Sequence, residues 1–151
     1  MFEYLTAYVG REKPPNRFWP VSAEEIRQAE AWIGYRFPAQ LRRLFREVGC
    51  GFLARGVEDR KRDPSIVNGV LSPREIAELL NAESDPRRPP EGWAAGVMPF
   101  FDVGERTFLV MLPESPSPDR VWWPDGQTEV APDLDHFLRA LYRRADFYRS
   151  C

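Results

Sequence analysis

Histidine is nearly missing from this sequence: among 151 residues there is one, His136. The commonest acid–base residue near neutral pH therefore has no second copy to work with. Any serine relay or metal centre would have to use that single imidazole. It lies between Asp135 and Phe137, off the apolar stripe of a predicted helix, which suits capping or solvent better than catalysis. Cysteine is almost as scarce. Cys50 and Cys151 are the only two, too few and too far apart for a secreted disulfide framework. We expect a buried thiol at the first and a loose terminal thiol at the second. Neither stands at ligand spacing from His136, so zinc is not expected. Lysine is confined to Lys13 and Lys61, which leaves arginine to carry the positive charge.

Two further absences narrow the function. No apolar run approaches the length of a membrane span, and Glu3, Arg11, Glu12 and Lys13 interrupt any leader-like stretch near the amino terminus. The expectation is a cytoplasmic protein that does not touch a membrane. There is also no glycine-rich turn ahead of a helix of the kind that cradles phosphate. Gly49-Cys50-Gly51 follows a predicted helix instead. The acidic pair Glu24/Glu25 falls at a helix start, where it favours the dipole. Nothing here calls for a cofactor, and the expectation is a protein that is not an enzyme.

What is present is ordinary globular material. Hydrophobic residues make up 43% and charged residues 29%, with a formal net charge of −2, so the chain has enough apolar surface for a core and no polyanion-seeking bias. The arginines Arg139, Arg143, Arg144 and Arg149, beside Tyr142, Phe147 and Tyr148, crowd the last predicted helix and its end. They are expected to be a solvated, dipole-matched face, and no direct nucleic-acid binding is expected. The length fits one domain spanning 1–151.

Two helix starts use the same device. Val21-Ser22-Ala23-Glu24-Glu25-Ile26 and Leu71-Ser72-Pro73-Arg74-Glu75-Ile76 each place serine at the N-cap with glutamate at N3, and the apolar residues on either side form a staple. Pro73 occupies the first helical position, where its missing N–H is harmless. The first helix is expected from about Ala23 to Ile33, ending at Gly34. A second opens at Pro38 and buries Leu41, Leu44, Phe45 and Val48, with Arg42, Arg43, Arg46 and Glu47 on the wet side. The last begins near Asp133, with Leu134, Phe137, Leu138, Leu141, Tyr142 and Ala145 facing inward.

Strands are expected at Phe52-Leu53-Ala54, at Ile66-Val67, from Val97 to Phe101, from Thr107 to Leu112, at Val121-Trp122-Trp123 and from Thr128 to Val130. The Thr107 strand is apolar after its first residue and should be covered on both faces. Charged residues from Gly56 to Asp63 suit an exposed loop or hairpin end, and prolines mark 81–92 as loop. Helices and strands arranged in this order give an α+β fold with a mostly antiparallel sheet flanked by helices. Trp122 and Trp123, adjacent on one strand, should point to opposite faces.

The block from Ser22 to Phe52 resembles the opening of the SUKH superfamily: Glu25-Ile26, Glu30, Ile33-Gly34, Phe37-Pro38, Leu41, Leu44-Phe45 and Gly49-Cys50-Gly51 occupy its pattern. The second capped helix at Ser72 is similar too. So are the strand pair around Pro99 to Leu112 split by Asp102-Val103-Gly104-Glu105, the aromatic strand at Val121 and a closing helix with Phe137-Leu138. The likeness covers roughly residues 18 to 142. Val48 stands where the family usually has asparagine, and Pro124-Asp125-Gly126 where it has an acidic turn. The resemblance implies a sheet of about six strands flanked by helices and no catalytic machinery. It also implies an immunity-type role, in which a bacterial protein binds and neutralises a cognate protein toxin, a nuclease in many cases. The alternative is a regulatory or scaffold protein that binds a host protein. Expected contacts, chosen from predicted turns and the aromatic strand, are Glu58, Asp59, Asp102, Glu105, Trp123 and Asp125. The protein should be a monomer or weak homodimer.

Overall fold

The computed structural model describes every residue except 12, 14, 56, 59, 60, 63, 64, 83 and 90, and only the backbone of 57, 58, 61 and 62. The helices follow their local signals. Helix α1, Ala23–Ile33, and helix α3, Pro73–Asn81, each begin with a complete capping box: the serine hydroxyl accepts from the N3 amide at 3.1 Å, and the N3 glutamate reaches back to the serine amide. Both ends thereby satisfy donors that have no intrahelical partner. Helix α2, Ala39–Glu47, starts after Pro38, and α4, Leu134–Arg143, is capped by the Asp133 carboxylate.

Seven antiparallel strands pair in the order β1-β2-β5-β6-β7-β8-β9. Their ranges are β1 Arg17–Trp19, β2 Cys50–Phe52, β5 Gly69–Val70, β6 Met98–Gly104, β7 Thr107–Met111, β8 Val121–Trp122 and β9 Glu129–Ala131. A separate hairpin joins β3, Val57–Glu58, to β4, Lys61–Arg62. The central strand is β6. Its neighbour β7 is buried along Phe108, Leu109, Val110 and Met111, as a strand covered on both faces should be.

The four helices bury their apolar stripes in one contiguous cluster with the sheet. Phe137 of α4 is a hub: its ring meets Phe101 at 4.9 Å, Phe147 at 5.5 Å and Phe100 at 5.9 Å. Such edge-on and tilted contacts add about 0.5–1.5 kcal/mol per pair beyond the area buried. One polar node crosses this core. Asn68, fully buried, donates through Nδ2 to the carbonyls of Ala145 (2.9 Å) and Ala54 (3.3 Å) and accepts from the Tyr148 hydroxyl at 2.8 Å. The carboxy-terminal segment is thereby tied to the approach to β5.

Several details of these elements differ from the sequence expectation. Strand β1 has no periodic signal in its three residues, and it forms because β2 pairs with it. Strand β2 lies at Cys50–Phe52 rather than at Phe52-Leu53-Ala54. The reason is steric: a Cβ at Gly49 would fall 1.8 Å from the Trp19 carbonyl oxygen and one at Gly51 2.1 Å from that of Arg17. The glycines therefore do more than stop a helix, because they let two backbones approach. Ile66-Val67 only flanks the paired strand, though the Val67 amide donates to Val103 O at 3.1 Å. Tyr142 is 46% exposed rather than buried, its ring edge-on to Tyr4 and its hydroxyl 3.1 Å from that of Tyr8.

Candidate functional site

Three chain segments meet where β6 turns into β7. The turn itself is Glu105-Arg106, with φ of 52° and 61° between the paired residues Gly104 and Thr107. Positive φ at both central residues is type I′ geometry, which matches strand twist but normally selects Asn-Gly. Here glutamate and arginine hold it, at a cost of about 1 kcal/mol or more per residue. The second segment is the loop after α3. Arg87 pins it: its Nη2 lies 2.8 Å from Asp85 Oδ2 and its Nη1 3.4 Å from Glu75 Oε2 of α3. This pairing holds the Asp85 carboxyl well below the usual range, at about 2. Arg106 fastens the same loop to the hairpin by donating from Nη2 to Arg88 O at 2.8 Å. The β8–β9 turn at Pro124-Asp125-Gly126 is the third.

Between them lies a shallow cleft of about 440 Å³, with Glu91, Glu105, Arg106 and Asp125 around Trp93 and Phe108. The Trp93 and Phe108 rings meet edge-on at 5.7 Å. The indole Nε1 of Trp93 is buried and meets no hydrogen-bond partner among the described residues, an unusual state for a donor that normally finds one. Asp125 is fully exposed. Its carboxylate accepts from the amides of Gln127 (2.8 Å) and Thr128 (2.9 Å) and from the Thr128 hydroxyl (2.7 Å), which lowers its pKa. The carboxylate thus stays charged while shaping its own turn. An open cleft with an aromatic floor and three carboxylates beside one arginine suits a cationic, partly apolar side chain offered by another protein.

The residues expected from sequence distribute unevenly. Glu105 and Asp125 line this cleft together. Asp102 is half-buried within β6, where it accepts from the Gly104 amide at 2.8 Å and where burial raises its pKa. Trp123 is half-buried and packs edge-on against Tyr148 at 6.2 Å. Glu58 is on β3 with its side chain outside the described set, and Asp59 lies outside the described residues altogether. Trp93 and Phe108 were not singled out from sequence. The only available signal for Trp93 was a tryptophan directly after the proline-rich loop.

Elsewhere, His136 is 67% exposed, its Nδ1 2.8 Å from the Asp133 carboxylate that caps its own helix. Cys50 is half-buried, and burial pushes its thiol up to about 11, away from thiolate chemistry. Among the described residues, no group of three or more His, Cys, Asp or Glu converges to hold a metal ion. No described helix is long and apolar enough to cross a membrane.

A seven-stranded antiparallel sheet with two capping-box helices places the chain in the α+β class. Within that class, residues 20–140 match the family model described as SMI1 / KNR4 family (SUKH-1), and the chain belongs to that family. No curated protein and no solved structure matched.

Proposed function

We propose that this protein is an immunity-type binder: it docks on a cognate bacterial protein toxin and neutralises it by covering its working surface, without catalysis of its own. The observation that carries this reading is the family match over residues 20–140. Members of that superfamily, in the resemblance drawn above, act through protein contacts. The cleft at the β6–β7 turn supplies the surface. It offers a half-buried tryptophan whose N–H meets no partner among the described residues, and the carboxylates of Glu91, Glu105 and Asp125. Tryptophan is over-represented among residues that dominate binding energy, and clustered carboxylates steer a basic surface such as that of a nuclease. The cytosol, where such a toxin acts, is the compartment that fits this role.

Co-expression with the product of the adjacent gene tests the proposal. Growth should be rescued, the two chains should co-purify, and Glu105→Lys should weaken the complex at least tenfold while leaving the melting temperature unchanged or higher. Co-purification with a host protein and no rescue would instead favour a regulatory or scaffold role. Failure of both rescue and co-purification would sink the immunity reading.

A further inference from the structure

The wet side of α2 carries a second, oppositely charged surface. Two adjoining grooves between the end of α1 and α2 are lined by Arg27, Arg36, Arg42, Arg43 and Arg46, with Glu30 the one carboxylate in their walls. Three of the arginines have acidic neighbours: Arg27 pairs with Glu24, Arg43 with Glu47, and Arg42 with Glu30. Arg36 and Arg46 are exposed and make no ion pair with any described carboxylate.

The Arg42–Glu30 pair is a built element. Glu30, with 11% of its side chain exposed, accepts from the Phe37 amide at 2.8 Å and from Arg42 Nε at 3.1 and 3.2 Å through both oxygens. The carboxylate thus fixes the joint between α1 and α2 and holds the guanidinium by Nε, while its two terminal nitrogens make no hydrogen bond among the described residues. A guanidinium fork immobilised in this way suits carboxylate oxygens, because little freedom remains to be lost on binding.

From this arrangement we infer that the α1–α2 groove is a docking site for a carboxylate-rich segment of a partner protein. Arg42 receives it as a positioned fork, and Arg36 and Arg46 supply the uncompensated charge. Charge complementarity selects the occupant. A nucleic acid fits less well, since single strands need exposed rings to stack on, and here Tyr35 is half-buried and Phe37 buried. This site stands whether or not the partner at the hairpin cleft is a toxin.

The test uses a fluorescent ten-glutamate peptide, read by anisotropy at low and physiological salt. Against the full chain, Arg36→Glu combined with Arg46→Glu should lose at least tenfold in affinity. Arg42→Lys, which keeps the charge but not the fork, should lose about threefold. The melting temperature of each variant is measured alongside, with Arg36→Ala/Arg46→Ala as a milder pair. Arg143→Glu, on the exposed end of α4, should stay within twofold of wild type. The inference is overturned if the peptide does not bind, if Arg143→Glu loses as much as the groove variants, or if a single-stranded oligonucleotide of equal charge binds more tightly through the same arginines.

Discussion

The first turns of α1 and α3 and the seam between β1 and β2 solve one problem, unsatisfied backbone, by opposite means. At the helices the solution is local: a serine and a glutamate three positions on trade hydrogen bonds, and the whole device fits in four residues. At the seam the partner lies some thirty residues away, with Phe18 opposite Gly51 and Trp19 opposite Cys50. Contact there depends on what Gly49 and Gly51 lack, a Cβ. A side chain that makes a bond can be lost at the cost of that bond. An absence that makes room has no substitute.

The largest effect should therefore come from the seam. Gly49→Ala and Gly51→Ala each force a Cβ into a backbone carbonyl, and Gly49 also has φ of 119°. Each should destabilise by about 3 kcal/mol or more, read as a fall in urea midpoint or as failure to fold. A loss below 1 kcal/mol in either would show that the seam relaxes easily and would erase the contrast.

Next comes the polar node at Asn68, non-local like the seam but made of bonds like the caps. Asn68→Ala removes the acceptor that Tyr148 Oη donates to and the donor to the Ala54 and Ala145 carbonyls, and should cost about 2–4 kcal/mol. Tyr148→Phe removes one partner and should cost about 1–2 kcal/mol. Equal losses for the two would mean that the node is a single bond and not a network. The caps follow: Ser22→Ala and Ser72→Ala should each cost about 1 kcal/mol, and the double variant should lose their sum. Departure from additivity by more than about 0.5 kcal/mol would show that the two helices, which pack on each other, share their capping energy.

The same contrast explains what could be read from the chain alone. Both capping boxes, the burial of β7 and the α+β order were legible because their signals fit within a few residues. Strand β1 was not, since Arg17-Phe18-Trp19 acquires its structure from β2. Tyr142 was misplaced because it follows the helical stripe, yet its ring is drawn to Tyr4 and Tyr8 at the surface. The cleft was half legible. Turns pointed to Glu105 and Asp125, but Trp93 reaches them only because the Arg87 and Arg106 contacts fold the proline-rich loop back over the hairpin.

The smallest effect, and the one that bears on function, lies at Glu105. Its φ of 52° is strained for glutamate, and no described side-chain bond repays that strain. Asparagine tolerates the left-handed region better, so Glu105→Asn should stabilise the fold by about 0.5 kcal/mol, a rise of roughly 2 °C in melting temperature. If the cleft binds a cationic surface, the same substitution removes a steering charge and slows association, with a weaker dependence on salt. Stability and binding then move in opposite directions from one atom-level change. That is the signature of a residue kept for contact rather than for its turn. A melting temperature that falls would show that glutamate is the better turn residue here, and the strain argument for this site would fail.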